Sequence, residues 1–394
     1  MFKIHNTDIL FLAYNKWNSA WRGDQHISLR LSEYTRVIYC DPDQWLFENI
    51  ESFRNNLLLM NKIARSTRIM RNLFIVQPLF FIPFSRTIKT FMKLNYLLFI
   101  RVLKNKFLIK NPILWINKPI NKILVDIILD KIKPCIICFR WADNWAEFPG
   151  PFHSRERVRD NCNYILSKAD IVFTVSKYLY NLAIKIKTEN VYLLPNGVDV
   201  KMMSKLFLNN SLSTKIDNIS KPIFGYIGTI NERIKFDWII KVATFHPEWN
   251  FVFIGPEVKI FKIPSKVKTL KNIYFIGKIP YEKLPFYFKK IDVFLLPHKK
   301  MLSTVAMDPI KLYEYLFTGK PIVATDVIEP YFHNYIYIVR NYQEFEKALE
   351  QAIQENNPAL SKARHEIALK NTWEDRVAKI LKIIHKYTEQ KHFG

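Results

Sequence analysis

Short apolar runs separated by amphipathic stretches predict an α/β domain in the first half of the chain. It opens on an apolar run at residues 8–14, an irregular polar stretch, a helix over 25–34 and a second run over 36–40. Further strand-like runs follow at 73–76, 113–116, 135–139, 171–175 and 191–194. Short runs rich in β-branched residues and separated by helical patterns are typical of parallel strands that are buried on both faces.

The same pattern starts again in the second half. A strand-like run at residues 222–228 leads through a polar loop into a helix that ends near Phe245. Further runs follow at 251–254, 273–276, 293–296 and 336–339, and two helices close the chain. We therefore predict an N-terminal Rossmann-like domain over 1–200, a linker over 201–220, a C-terminal Rossmann-like domain over 221–372, and a helix and tail over 373–394.

Residues 308–326 predict a loop, a short helix and a buried strand. Asp308 suits an N-cap, Pro309 suits the first helical position, and Gly319 suits the left-handed residue that ends a helix. A helix start offers free N–H groups and a positive dipole end to a phosphate. Lys311 adds a positive charge there, and Glu314 places a carboxylate where it can accept from ribose hydroxyls. The alternative is a simple cap with an i,i+3 surface ion pair.

The charge of the chain points to an anionic partner. The 394 residues carry 59 Lys and Arg against 35 Asp and Glu, a formal charge of +24. The segment 80–110 mixes apolar and aromatic residues with seven cations and no acid, and these cations are Arg86, Lys89, Lys93, Arg101, Lys104, Lys106 and Lys110. Such a segment fits the surface of an anionic membrane. A domain helix with solvated lysines is the equal alternative.

Other features exclude several classes of protein. The longest apolar stretch, 73–84, contains two prolines and is too short to span a bilayer, and the N-terminus lacks the pattern of a signal peptide. The chain has four cysteines, and Cys135 and Cys138 fall on opposite faces of a predicted strand. Neither a disulfide framework nor a metal site is expected, and a reducing cytoplasm fits.

The second half resembles the nucleotide-sugar-binding domain of bacterial glycosyltransferases with the GT-B fold, family 4-like enzymes of glycosyltransferase group 1 that build cell-envelope polysaccharides. The matching segments are 225–233, 251–256, 275–277, 284–285, 292–293 and 308–326, in that order. The first half matches more loosely, at 21–26, at Asp143, at 169–173 and at 195–199. The resemblance implies two Rossmann-like α/β domains that face each other across a cleft, with the C-terminal helix packed back on the N-terminal, acceptor-binding domain.

Carried over residue by residue, the resemblance implies a donor-binding site. The residues concerned are Gly228, Thr229, Arg233 or Lys235, Pro309, Ile310 and Lys311 at the diphosphate, Gly277 and Pro280 at the base, and Glu314 at the ribose. One position departs from the family pattern. The family often has a second glutamate eight residues before Glu314, and the residue here is Ala306. How the hydroxyls of the transferred sugar are held is therefore open.

Two residues are candidates for the base that accepts the proton of an acceptor hydroxyl. Asp143 follows a buried strand at its carboxyl end, where a helix N-cap is an equal alternative. His26 is the second candidate, and ordinary packing on the first helix is its alternative.

The sequence thus predicts a cytoplasmic glycosyltransferase bound peripherally to the inner face of the membrane. It would move a sugar from a nucleotide sugar, such as a UDP- or GDP-sugar, to a lipid-linked or growing cell-envelope glycan. Amides and cations stabilise the leaving diphosphate, so no metal or other cofactor is expected. One alternative is a DNA-modifying glucosyltransferase, which the absence of an arginine stripe disfavours. The other is a catalytically inactive nucleotide-sugar-binding scaffold, which Ala306 suggests.

Overall fold

The computed structural model describes residues 7–42, 44–45, 64–80, 89–148, 154–208, 213–258 and 261–393. The chain divides into two compact α/β units. Unit 1 comprises Met1–Pro195 together with Arg376–Gly394, and unit 2 comprises Asn196–Asp375. Both units are built on parallel sheets, as the apolar runs predict.

The described residues of unit 1 form a nine-stranded sheet in the order β3-β5-β2-β1-β6-β7-β8-β9, with β4 on β5. All its described ladders are parallel except β4 with β5, an antiparallel hairpin that the apolar pattern did not predict. Its strands are β1 (Ile9–Leu12), β2 (Val37–Cys40), β3 (Gln44–Trp45), β4 (Ala64–Met70), β5 (Leu73–Phe80), β6 (Ile113–Ile116), β7 (Ile136–Trp141), β8 (Ile171–Thr174) and β9 (Val191–Leu193).

Five helices connect the strands within the described part of unit 1. They are α1 (Gly23–Leu31), α2 (Lys89–Phe107), α3 (Lys122–Lys131), α4 (Arg155–Lys168) and α5 (Lys177–Ala183). Side-chain caps fix where three of them begin, because Asn121, Ser154 and Ser176 each accept a hydrogen bond from a backbone N–H in the first turn. The central strands are fully buried, so the helices cover both faces of the sheet.

Unit 2 has a six-stranded parallel sheet in the order β12-β11-β10-β13-β14-β15. The strands are β10 (Ile223–Ile227), β11 (Asn250–Ile254), β12 (Ile273–Gly277), β13 (Val293–Leu296), β14 (Ile322–Thr325) and β15 (Tyr337–Val339). Its helices are α6 (Val200–Met203), α7 (Phe236–Phe245), α8 (Ser265–Thr269), α9 (Leu284–Lys290), α10 (Leu302–Val305), α11 (Ile310–Phe317), α12 (Tyr342–Ile353) and α13 (Pro358–Leu369). Two apolar clusters line the two faces of this sheet.

The polar composition marks residues 201–220 as a linker, but the described ones among them, 201–208 and 213–220, belong to unit 2. Met202, Met203 and Ile216 are buried in its core. These three apolar residues follow no regular period, so the pattern of the sequence does not reveal that they pack.

The last helix, α14 (Trp373–Phe393), carries the chain back to unit 1 from Arg376 onward. Lys379 Nζ donates to Leu193 O at 2.9 Å, and Tyr387 Oη donates to Asp170 Oδ1 at 2.6 Å. Ile380, Leu381 and Ile384 are buried. The predicted return of the C-terminal helix to the first domain is confirmed.

The described residues were searched for membrane-spanning helices and for metal-binding groups. No described helix is both long and apolar enough to cross a membrane. The described residues also contain no group of three or more His, Cys, Asp or Glu side chains that are placed to hold a metal ion. Cys138 is buried and Cys135 is half-buried, and burial raises the pKa of both thiols.

Candidate functional site

The strand order of unit 2 marks one point where a ligand is expected. The chain runs from β10 to β11 on one side and reaches β13 on the other, so the connections leave in opposite directions at the β10–β13 boundary. Ligands of open parallel sheets bind beyond the carboxyl ends of the strands at such a switch point. Gly228 and Thr229 follow β10 at this edge, and His298 follows β13.

Close backbone approach holds the ends of three neighbouring strands together. Gly228 N donates to Ile254 O at 2.9 Å, and Gly255 N donates to Gly277 O at 3.0 Å. Gly255 has φ +150°, and a Cβ atom there would lie 1.8 Å from Gly228 O. Only glycine fits at position 255. The structure therefore brings the predicted residues Gly228 and Gly277 to the same edge of the sheet, and Pro280 follows there as the N-cap of a 3₁₀ turn.

The start of α11 differs from the prediction. Pro309, rather than Asp308, is the N-cap, and no side chain caps the helix. Asp308 is buried, and its carboxylate accepts from Asn196 N at 2.5 Å and from Tyr313 Oη at 2.9 Å. The expectation that Asp308 caps the helix is wrong, because Tyr313, one turn into the helix, and a distant backbone amide take its oxygens instead.

Lys311 and Glu314 form the charged part of the site. Lys311 Nζ lies 2.6 Å from Glu314 Oε2, and the Lys311 side chain is 22% exposed, whereas that of Glu314 is only 1% exposed. The pair therefore exists, but its carboxylate is buried rather than on the surface. Tyr281 Oη, which follows β12, donates to Glu314 Oε1 at 3.4 Å, and Lys311 Nζ lies 5.8 Å from the centre of the Tyr281 ring. Sequence reasoning missed Tyr281.

The two candidate cations of the loop after β10 are half-buried and differ in their contacts. Lys235 Nζ lies 3.9 Å above the ring of Trp238, and Arg233 Nη1 lies 3.8 Å from Met307 Sδ. The loop is fixed to the end of β13, because Lys235 N donates to Pro297 O at 2.8 Å and Lys299 N donates to Arg233 O at 2.7 Å. The Arg233 guanidinium is therefore near the start of α11, on the side of Met307.

His298, which follows β13 at this edge of the sheet, was not identified as a candidate from the sequence. It is 6% exposed, and its Nδ1 has no hydrogen-bond partner among the described residues. Burial, together with the charge of Arg233, lowers the pKa of His298 from 6.5 to about 3. The imidazole is therefore neutral at neutral pH. Its ring lies edge-on to that of Tyr226, with 5.9 Å between the ring centres.

The two candidate bases lie in unit 1. Asp143 lies between β7 and a 3₁₀ turn (Trp145–Glu147), is half-buried, and is not the cap of that turn, which begins after Asn144. Its carbonyl oxygen accepts from Trp141 Nε1 at 2.9 Å. His26 is fully buried on α1, with its ring 5.2 Å from that of Trp21. The surroundings of His26 fit the packing role that the sequence left open.

A buried polar network lies at the corresponding switch point of unit 1, between β1 and β6, and was also missed. Asp24 accepts from Tyr14 N at 2.7 Å, from Asn15 N at 3.0 Å and from the side-chain amide of Asn117. Burial raises the pKa of Asp24, and these backbone hydrogen bonds and the charge of Arg140 oppose the shift. A Cβ atom on Gly23 would lie 2.7 Å from Arg140 Nη2, so the guanidinium packs directly on the start of α1.

Comparison with known proteins bears on the fold. The chain matches the structure of sucrose-phosphate synthase from Thermosynechococcus elongatus with a TM-score of 0.71 at 13% identity, over 98% of this chain and 100% of that one. It matches Anabaena HepE, solved in complex with UDP and glucose, with a TM-score of 0.65 at 13% identity, over 96% and 100% of the two chains. The chain has the GT-B glycosyltransferase fold.

Comparison of the sequence bears on the family. Residues 214–392 match the family model described as glycosyl transferases group 1. A curated relative is the putative teichuronic acid biosynthesis glycosyltransferase TuaH of Bacillus subtilis, 28% identical over 242 residues, which are 58% of this chain. The match spans 59% of the length of that relative.

Proposed function

We propose that this protein is a glycosyltransferase that moves a sugar from a nucleotide sugar to a lipid-linked or growing cell-envelope glycan. The observation that carries the proposal is the Lys311–Glu314 pair beside the switch point of a group 1 glycosyltransferase domain. The partly exposed ammonium group suits a diphosphate, and the buried carboxylate suits two ribose hydroxyls. The donor class is supported by HepE, whose structure contains UDP and glucose. The acceptor class rests on the name of TuaH.

Donor binding would require one local change at α11. Lys311 Nζ lies 2.6 Å from Glu314 Oε2, and the Glu314 side chain is 1% exposed. A buried carboxylate needs such a partner. When ribose hydroxyls donate to Glu314, Lys311 becomes available to bind the diphosphate. The diphosphate would lie close to Pro309 and Ile310 at the start of α11 and to Gly228 and Thr229 after β10. Arg233 or Lys235 and the backbone amides add to the stabilisation of the leaving group, an arrangement that needs no metal.

The acceptor would bind to unit 1, and Asp143 is the proposed base. Its position after β7 is at the carboxyl end of the sheet. Asn117 Oδ1 and Thr174 Oγ1, at the ends of β6 and β8, are buried and have no partner among the described residues. Such atoms suit the hydroxyls of a glycan. His26 is the second candidate, with its full burial favouring a supporting role.

We also propose that helix α2 contacts an anionic membrane from the cytoplasmic side. Residues 81–88, including Arg86, lie outside the described residues. From Lys89 to Lys110 all six cations are exposed and no acid is present. Phe91, Leu94 and Leu108 are exposed beside them at 36%, 45% and 74%. Co-sedimentation with vesicles of phosphatidylglycerol, but not with vesicles of phosphatidylcholine, is expected; equal binding to both or to neither would refute this contact.

The experiment that tests the function is a binding panel. Thermal shift and calorimetry would compare UDP, GDP, ADP, UDP-glucose and GDP-mannose on the native chain and on Glu314→Ala. One nucleotide should stabilise the native chain, and Glu314→Ala should weaken it about a hundredfold, since hydrogen bonds to a charged group are lost. The matched control is Glu366→Ala, which removes an exposed helical carboxylate from an i,i+4 pair with Lys362.

Three results would count against the proposal. A native chain that responds to no nucleotide would refute the donor site. Nucleotide binding that Glu314→Ala and Glu366→Ala weaken equally would place the nucleotide elsewhere. Binding without transfer to any lipid-linked acceptor would instead favour a nucleotide-sugar-binding scaffold, the function to which the buried Ala306 points.

A further inference from the structure

The backbone of His298 is fixed at the switch point of unit 2. The residue forms an antiparallel bridge with Ile234, in the loop that carries the two candidate cations. Its carbonyl oxygen accepts from Thr325 Oγ1, at the end of β14, at 2.7 Å. The backbone of His298 is therefore held by two contacts between the ends of β10 and β14.

The side chain carries an atom that the fold leaves unsatisfied. His298 Nδ1 is buried and has no partner among the described residues. A buried polar atom without a partner lowers stability and therefore requires an explanation, of which a role in ligand binding is one. The ring is neutral at neutral pH, since burial and Arg233 lower its pKa to about 3. A neutral imidazole suits a hydroxyl, because one ring nitrogen donates and the other accepts.

The same corner contains the position at which the family pattern has an acid. Ala306 is fully buried and offers no polar side-chain atom. The segment that leads to it folds back on the end of β13, because Thr304 Oγ1 donates to Lys299 O at 2.6 Å. Met307, next to Ala306, contacts the Arg233 guanidinium from the other side. Position 306 and His298 thus belong to one corner of unit 2.

The order of the strands in the sheet indicates which part of a nucleotide-sugar donor would lie near His298 and position 306. Along the sheet, β12 leads to the expected base contacts at Gly277 and Pro280, and β10 leads to the diphosphate contacts at Gly228. The strand on the far side of β10 is β13, which leads to His298. At about 4.8 Å between neighbouring strands, β12 and β13 are about 14 Å apart. A nucleotide sugar laid across these ends in the order base, diphosphate, sugar places its sugar beside β13.

We propose that His298 Nδ1 binds a hydroxyl of the transferred sugar and supplies the contact that Ala306 lacks. The inference rests on the proposed function and makes His298 a specificity-determining residue for the donor sugar. His298 would contribute to the binding of the sugar part of the donor and would not affect the binding of the nucleoside diphosphate part.

The test compares each sugar nucleotide with its own nucleoside diphosphate. UDP with UDP-glucose and GDP with GDP-mannose would be titrated by calorimetry into the native chain, His298→Phe and His298→Asn. His298→Phe should weaken the sugar nucleotide about tenfold and change the affinity of the diphosphate less than about twofold. His298→Asn, which keeps a hydrogen-bonding group near Nδ1, should restore part of the loss. His246→Phe, which alters a histidine stacked on Trp249, is the matched control and should change neither affinity.

Each result has one meaning. Equal weakening of diphosphate and sugar nucleotide by His298→Phe, or no weakening of either, would overturn the inference while leaving the donor site in place. A native chain that binds none of the four compounds would overturn the proposed function and this inference with it. If His298→Phe does not fold, His298→Leu replaces it, and the same comparison of the two affinities decides.

Discussion

The two sheets of this protein have equivalent switch points, and their chemistry differs. In unit 1 the carboxylate of Asp24 is buried and receives three hydrogen bonds, two of them from the backbone after β1. In unit 2 the corresponding edge includes the backbone of Gly228 and a lysine, Lys311, whose side chain is 22% exposed. The charge in unit 1 stabilises a loop, whereas Lys311 in unit 2 keeps access to water and to a ligand. Equivalent topology therefore places a site but does not determine what the site binds.

The largest expected effect breaks the network in unit 1. Asp24→Ala removes the acceptor of Tyr14 N, Asn15 N and the Asn117 amide, and it leaves the buried Arg140 without its nearby negative charge. We expect the free energy of unfolding to fall by about 3–5 kcal/mol. Urea unfolding followed by circular dichroism measures it.

The comparison also predicts a smaller effect in unit 2. Glu314→Ala removes a buried carboxylate too, but its partner Lys311 can extend into water, so we expect a loss of about 1–2 kcal/mol. If Asp24→Ala and Glu314→Ala lowered the free energy of unfolding by similar amounts, both carboxylates would contribute equally to stability. The contrast between the two switch points would then not hold.

A pH-dependent effect follows from the titration of His298. Its pKa is about 3 in the folded protein and 6.5 as the ordinary value, so the unfolded chain binds more protons between these values. The contribution of His298 to stability is complete above pH 6.5 and is lost as the pH falls toward 3. Between pH 6 and pH 4 the loss approaches about 1.4 kcal/mol per pH unit.

The measurement is the urea unfolding of the native chain and of His298→Asn at pH 7, 6, 5 and 4. The free energy of unfolding of the native chain minus that of His298→Asn should fall as the pH falls, because the variant has no imidazole to protonate. A constant difference over this range would show that His298 titrates normally and is accessible to water.

Much of the fold could be predicted from local patterns. The central strands were predicted because they are buried on both faces and are therefore continuous apolar runs. The hairpin of β4 and β5 was missed because residues 64–70 are mostly polar and basic. They alternate with apolar residues only in part, so they do not show the pattern of a strand. Residues 201–220 were predicted to be a linker and not a part of unit 2, because the buried Met202, Met203 and Ile216 follow no regular period.

The sequence by itself determined the α/β class, the GT-B resemblance and the placement of Lys311 and Glu314 on one helix, because these depend on residues close together in the chain. Only the tertiary structure decided what Asp308, Asp24 and His298 contact. Asp308 meets a residue 112 positions away, and Asp24 meets one 93 positions away. A carboxylate's role is set by the donors that packing brings to it, and no local pattern encodes partners at such separations.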